Sequence, residues 1–298
     1  MGRITARRRV TRITVGEPAR QREDLLAVEE PLEIRVGGRA LAITMRTPGH
    51  DFELAAGFLV SEGVVAAQGE YNGARYCAGT NDDGENTFNV LDVTLGVGVP
   101  APDPSLERNF YTTSSCGLCG KASIDAVRTR SRFDIADDAT RIAAELLVGF
   151  PERLREHQGV FDKTGGLHAA GLFDAETGEL LVVREDVGRH NAVDKVIGWA
   201  LTEGLLPLRR TVLMVSGRAS FELAQKASMA GIPILAAVSA PSSLAVELAA
   251  ELGMTVVGFL RAPSMVVYSS PERIVVSPGG DAEHSVRPES ELTNAVAL

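Results

Sequence analysis

Three stretches decide the fold: Thr211-Val212-Leu213-Met214-Val215, Pro233-Ile234-Leu235-Ala236-Ala237-Val238 and Thr255-Val256-Val257-Gly258-Phe259-Leu260. Each is a short apolar run rich in branched residues, the pattern of a strand buried on both faces. Between them, Ser220–Ala230 and Ser242–Leu252 have helical periodicity with serine at the start of each. Apolar strands alternating with helices indicate a parallel sheet covered on both sides, an α/β architecture.

Working outward, Asn191–Thr202 carries Val193, Val196, Ile197 and Ala200 at helical spacing. Ahead of it, His168–Phe173 and Leu180–Val187 are strands joined by Asp174-Ala175-Glu176-Thr177-Gly178, a hairpin leading into the parallel strands. A further helical pattern runs from about Ala139 to His157. Residues 20–110 have a different rhythm. Pro31–Val36 and Ala40–Met45 alternate around Gly37-Gly38 as a hairpin, Phe52–Glu62 is a short helix ended by Gly63, and Asn89–Leu95 alternates again. The chain thus divides into a basic arm (1–19), a strand-rich subdomain (20–110), an α/β domain (111–276) and a mobile tail (277–298).

In open α/β sheets, ligands bind beyond the carboxyl ends of the strands. Here those ends are Ser216-Gly217-Arg218-Ala219-Ser220, Ser239-Ala240-Pro241-Ser242-Ser243 and Arg261-Ala262-Pro263-Ser264. Serine and glycine are also ordinary caps and turn residues. Three such loops in succession, two with arginine, nevertheless suit an anionic ligand such as a nucleotide. Arg189-His190 at a strand-to-helix junction extends the set, with Arg189 placed to meet phosphate. His168 and His190 are candidates to line a ligand pocket, although on a strand His168 reads first as a satisfied core histidine; Gly165-Gly166 reads as a turn or anion nest. Arg184-Glu185-Asp186 reads as a strand end with surface charge. Asp51 reads as an early acidic helix residue, while Phe52, Leu54, Phe58, Trp199 and the helix 244–252 read as core.

The remaining chemistry is sulfur. Ser115-Cys116-Gly117-Leu118-Cys119-Gly120-Lys121 places a CxxC on a glycine-rich turn before a helical pattern, where the helix dipole and Lys121 favour thiolate. A CxxC serves as half a zinc site, as a dithiol redox pair or as a persulfide carrier. Zinc would need two more ligands, and only Cys77 and five histidines are available, with no second CxxC. A thioredoxin-like pair would follow the first strand of a βαβ unit. Cys77 reads as a buried small hydrophobe.

Composition narrows the class. A chain of 298 residues with three cysteines is no secreted disulfide framework and reads as cytoplasmic with reduced thiols. A net charge of −9 argues against nucleic acid, and no apolar run is long enough to span a membrane. Arg3, Arg7, Arg8, Arg9 and Arg12 are not followed by the apolar stretch and cleavage site of an export signal.

Five segments in series resemble the FdhD family of formate dehydrogenase accessory proteins: Arg46–Leu59, Ser115–Lys121, Thr164–Ala170, Arg184–Lys195 and Ser216–Glu222. The resemblance spans residues 20 to 276 and implies a sulfurtransferase. In such a protein a CxxC cysteine takes persulfide sulfur from a cysteine desulfurase. The sulfur then passes to the molybdenum bis(molybdopterin guanine dinucleotide) cofactor of formate dehydrogenase. The resemblance also implies a homodimer and a three-layer, cytidine-deaminase-like core with a mixed sheet. The deaminases' HxE and PCxxC metal signature is absent, so no metal site is expected. By correspondence, Cys116 is the persulfide cysteine with Cys119 second. Phe259, Leu260, Arg261, Ala262, Pro263 and Ser264 match the cofactor-binding segment, to which the residue reading adds Ser216, Gly217, Arg218, Arg189 and His190. GDP-like ligands would then fit the same edge.

Overall fold

The computed structural model describes residues 3–77, 79, 87–103, 106 and 131–277. Strand β1 (Thr5–Arg12) pairs with β2 (Arg20–Ala27) as a two-stranded antiparallel ribbon. Strands β3 (Glu30–Val36), β4 (Arg39–Arg46), β5 (Tyr71–Tyr76) and β6 (Val90–Leu95) form a four-stranded sheet in the order β4-β3-β6-β5. Gly37 and Gly38 turn the β3–β4 hairpin at φ 57° and 83°, the left-handed pair that a two-residue turn demands. Helix α1 (Asp51–Ser61) follows β4.

Strand β7 (Ile142–Ala143) and the short helices α2 (Ala144–Leu147), α3 (Phe150–Glu156) and α4 (Gly159–Thr164) lead to β8 (His168–Asp174) and β9 (Leu180–Asp186). Then come α5 (Arg189–Thr202), β10 (Thr211–Val215), α6 (Phe221–Met229), β11 (Ile234–Ala237), α7 (Ser243–Glu251) and β12 (Thr255–Arg261). Strands β13 (Ser264–Ser269) and β14 (Ile274–Val275) close the described chain. The main sheet has six strands in the order β13-β12-β11-β10-β8-β9. Its β10, β11 and β12 are parallel, while β8, β9 and β13 join by antiparallel pairing. The fold is mixed α/β.

Strand alternation divides the core between the faces of this sheet. Val212, Met214, Ile234, Ala236 and Val257 pack on one side with Leu147, Phe150 and Leu154 of α2 and α3. Leu213, Val215, Leu235, Ala237 and Val256 face the other way, into a cluster shared with α1, α5 and α6. That cluster continues through Leu32, Ile34, Leu91 and Val93 of the four-stranded sheet. Each buried Val, Leu, Ile, Phe or Met among them stabilises the fold by about 1.5–3 kcal/mol.

Helices α1 and α5 meet backbone to backbone. A Cβ on Gly57 would lie 1.8 Å from the Asp194 carbonyl oxygen, and one on Gly198 1.8 Å from that of Glu53. Only glycine fits at this crossing.

Several expectations change. The helix expected over 139–157 is interrupted: Ile142-Ala143 pairs with β14, and Gly149-Phe150-Pro151 starts a fresh helix. A proline near the first turn begins a helix more readily than it continues one. Strands β5 and β13 and helix α4 were not expected. Phe52 is 40% exposed and meets the Tyr76 ring edge-on at 5.1 Å, while Leu54 is buried and Phe58 packs against the core. Trp199 is partly buried against the same cluster, and Cys77 is only half-buried. Arg184-Glu185-Asp186 is not surface charge. Arg184 donates to Glu53 at 2.5 and 2.7 Å, Glu185 accepts the Val160 and Phe161 amides opening α4, and Asp186 is fully buried.

Buried charges tie the two sheets together. Asp186 holds Lys195 Nζ at 2.7 Å and accepts from the amides of Thr47 and Gly188 and from Asn191 Nδ2. Arg46 donates to Asp51, which also accepts from the Tyr76 hydroxyl. Asp194 accepts from Ser61 Oγ and Lys226 Nζ, each at 2.7 Å. Every charge in this set is paired and hydrogen-bonded, as burial requires.

Candidate active site at the strand edge

The strand directions gather the expected loops on one edge. Because β8 runs against β10 and β9 against β8, the amino end of β8 lies beside the carboxyl ends of β9 and β10. The Ser216 amide donates to the Ala169 carbonyl, and Ser216 Oγ accepts the Ala169 amide. A Cβ on Gly217 would sit 3.4 Å from His168 Nδ1, so this loop closes directly on the imidazole.

The next loop is stitched to the first. Ala219 bridges Pro241, and the Ser242 amide donates to the Ala219 carbonyl at 2.9 Å. Ser242 caps α7 by accepting the Ala245 amide, so its hydroxyl is committed to the helix start. Ser239 in turn accepts the Phe259 amide at 3.2 Å. Strand β12 then continues past the end of β11 and turns back as β13, so that the Phe259–Ser264 segment projects beyond the sheet. Phe259 is 40% exposed at φ 49°, Arg261 through Ser264 are exposed, and the Leu260 side chain is buried in the core. Arg218 is also exposed.

The first turn of α5 supplies the remaining groups. Its N-cap Gly188 offers no capping side chain, and no acidic residue follows in the first turn. Arg189 Nε is buried and has no hydrogen-bond partner among the described residues. A buried guanidinium nitrogen left unpaired at the positive end of a helix is suited to an incoming anion. His190 Nε2 lies 3.5 Å from Ser220 Oγ and 3.9 Å from Glu222. Burial, reinforced by the nearby cations Lys226 and Arg189, pushes the His190 imidazole down to about 4. His168 is lowered for the same reasons, burial first and Arg189 second. Both rings are therefore neutral at pH 7 and able to donate or accept a hydrogen bond. Burial alone would raise Glu222, but backbone and Ser220 hydrogen bonds with the facing His190 and Arg189 hold it below the usual carboxylate range.

The structure thus brings together Ser216, Gly217, Arg189 and His190 on one edge, with Phe259–Ser264 as a projecting flank. His168 belongs to the same edge rather than to the core. The sequence offers it as a pocket-lining candidate, with the core reading preferred. Cys116 and Cys119, with the helix expected after them, lie outside the described residues, as do residues 278–298 of the expected tail. Among the described residues no group of three or more histidine, cysteine or acidic side chains is arranged to hold a metal ion. No described helix is long and apolar enough to cross a membrane.

The strand edge of this mixed α/β protein thus presents an arginine whose buried Nε has no partner among the described residues, two neutral histidines and hydroxyl-bearing loops. The chain belongs to the FdhD/NarQ family, whose model matches residues 27–275. It is 65% identical over 277 residues to the sulfur carrier protein FdhD of Streptomyces coelicolor, covering 93% of this chain and 98% of that one. It is 64% identical over 271 residues to that of Mycolicibacterium paratuberculosis, covering 91% and 99%. The likeness extends to Sulfolobus acidocaldarius, at 44% identity over 85% of this chain and 92% of the relative. A crystal structure described as a formate dehydrogenase accessory protein from Desulfotalea psychrophila shares the fold. Its TM-score is 0.68 at 23% identity, over 92% of this chain and all of that one.

Proposed function

We propose that this chain is a sulfurtransferase acting as a sulfur carrier, with the strand edge as the seat of its cargo. The observation that carries this reading is the near-full-length 65% identity to a protein named as a sulfur carrier. The Cys116 thiolate attacks the outer sulfur of a cysteine desulfurase persulfide. The donor's S–S bond breaks, a new one forms as Cys116–S–SH, and the donor cysteine leaves as thiolate. Attack by the Cys119 thiolate on the inner sulfur would release the outer one as hydrosulfide and leave a Cys116–Cys119 disulfide; direct transfer from Cys116 is the simpler route. The acceptor is the molybdenum bis(molybdopterin guanine dinucleotide) cofactor of a formate dehydrogenase, bound here as substrate.

The edge suits that substrate. A guanine dinucleotide brings phosphate to Arg189 and the open start of α5, beside Ser216, Gly217 and the two neutral histidines. On this reading the exposed Phe259 and Arg261 of the projecting hairpin meet its base and outer phosphate, with exposed Arg218 at the rim. We further read the protein as a cytoplasmic homodimer whose six-stranded sheet is cytidine-deaminase-like, with residues 20–110 and 111–276 as its two domains. Sedimentation, superposition of the sheet on a deaminase and limited proteolysis test these points in turn.

The decisive experiment is intact mass after incubation with cysteine and a desulfurase. The reading requires a gain of one sulfur atom that reductant removes and that Cys116→Ala abolishes. Loss of two hydrogens without added sulfur would point to dithiol redox chemistry and overturn it.

A further inference from the structure

We propose that the β1–β2 ribbon is a docking arm for an acidic protein surface, and that its occupant is the client enzyme that takes cargo from the strand edge. The inference rests on the carrier reading above.

Residues 3–27 contain seven arginines and three acidic residues in a chain of net charge −9. The register places them unevenly. Arg12 stands directly opposite Arg20, Val10 opposite Arg22 and Arg8 opposite Asp24, so one face carries four arginines against a single aspartate. Opposed like charges destabilise a strand pair. The local carboxylates relieve little of this: Asp24 pairs with Arg22 at 3.1 Å, and Glu17 with Arg20 at 3.5 Å, both exposed. Arg12 has no carboxylate within ion-pair distance among the described residues. A face so arranged is stabilised by negative charge supplied from outside.

The ribbon also ends in uncovered aliphatic residues. Ile13 is 75% exposed and Val15 99% at the turn between the strands. Among the described residues neither strand pairs with any other, and a two-stranded ribbon is marginal in water. An arginine face with an aliphatic tip matches an acidic surface carrying a small apolar pocket. Two aliphatic residues without an aromatic one are a poor membrane anchor, and the acidic body behind the ribbon repels a polyanionic nucleic acid.

The position of the base selects the occupant. Ile4 Cδ1 packs 3.8 Å from the Gly49 Cβ position, and Thr47, two residues away, is hydrogen-bonded to Asp186 and Val187 at the end of β9. Ala27 packs against Gly166, two residues before His168, and β2 lies on α4. The ribbon therefore rises from the β9 end of the cargo edge, opposite the β12–β13 hairpin at the other end. A protein gripped by it is held against that edge, where cargo leaves. On the carrier reading, the enzyme that takes the cargo must reach that edge.

The test uses the full-length protein and the cofactor-free formate dehydrogenase of the same organism. Arg12→Ser with Arg20→Ser should weaken affinity for that enzyme about tenfold at low salt and flatten its salt dependence. Ile13→Ser with Val15→Ser should weaken it severalfold and leave the salt dependence intact. Both variants should keep the wild-type melting temperature, sulfur loading by desulfurase and guanosine diphosphate binding. Unchanged affinity in both variants overturns the arm, as does failure of a normally loaded wild-type protein to bind the enzyme. Arginine-dependent binding to duplex DNA or phosphatidylglycerol vesicles, with no effect on the enzyme, also overturns it. Failure of the wild type to take up sulfur would instead count against the carrier reading.

Discussion

Asp186 and Arg189 are three residues apart, yet the fold treats their charges in opposite ways. Asp186 is fully buried and surrounded by Lys195, two backbone amides and Asn191. Arg189 has a buried Nε with no partner among the described residues. The first set of charges, with Arg46–Asp51 and Asp194–Lys226, joins α1, β9, α5 and α6 into one body. The second, at the strand edge, is left incomplete. Buried Arg273 shares the unpaired Nε, but its Nη2 is spent on the Ile135 and Asp138 carbonyls; Arg189 differs in standing at the start of α5 on the strand edge.

The contrast can be broken most forcefully at Lys195. Replacing it with methionine leaves Asp186 as an uncompensated buried charge and should cost about 3–5 kcal/mol by denaturant unfolding. Adding Asp186→Asn should recover part of that loss; no recovery would mean that Lys195 acts by packing alone. The second largest effect is a pH response. The His190 imidazole sits near 4 in the fold against 6.5 unfolded. Its folded pKa is depressed, so the unfolded chain binds the extra proton between those values. Stability is full above pH 6.5 and falls as pH drops toward 4, by at most about 3 kcal/mol. His190→Asn should flatten the corresponding part of the stability–pH curve, and an unaltered curve would remove His190 from this role.

A smaller loss is expected at the helix crossing. Gly57→Ala drives a methyl into the Asp194 carbonyl and should cost about 1–3 kcal/mol, read as a lowered melting temperature. The smallest effect falls on the edge itself. Arg189→Met should leave stability unchanged or raise it by up to about 1 kcal/mol, because an unsatisfied buried donor is removed. A large loss there would place Arg189 among the folding charges and dissolve the contrast.

Much of the architecture was legible in sequence because it is locally encoded. The β10-α6-β11-α7-β12 alternation and both hairpins come within a residue or two of their observed bounds, since apolar periodicity and glycine turns mark them. Strand β13 was hidden because Arg261-Ala262-Pro263-Ser264 reads as a strand-end loop, and its pairing with β12 is antiparallel in a run of parallel strands. The supposed helix over 139–157 failed because the pairing of Ile142 with Ile274 is long-range. The same holds for charge. Nothing near Arg184-Glu185-Asp186 reveals that Glu53, Thr47 and Lys195 neutralise it. The strand-edge loops were legible as a set, whereas the membership of His168 depends on Gly217 arriving from a distant strand. The CxxC motif was legible as chemistry, and its setting lies outside the described residues.

The account stands most directly on whether the incomplete edge binds a phosphate-bearing guanine ligand. Isothermal titration of guanosine diphosphate into the wild type, Arg189→Gln and Arg261→Ala measures this. The account predicts saturable binding to the wild type and about tenfold or greater weakening in Arg189→Gln, with a further loss in Arg261→Ala. Wild-type affinity in both variants, or no binding by a wild-type protein that carries sulfur, would contradict it.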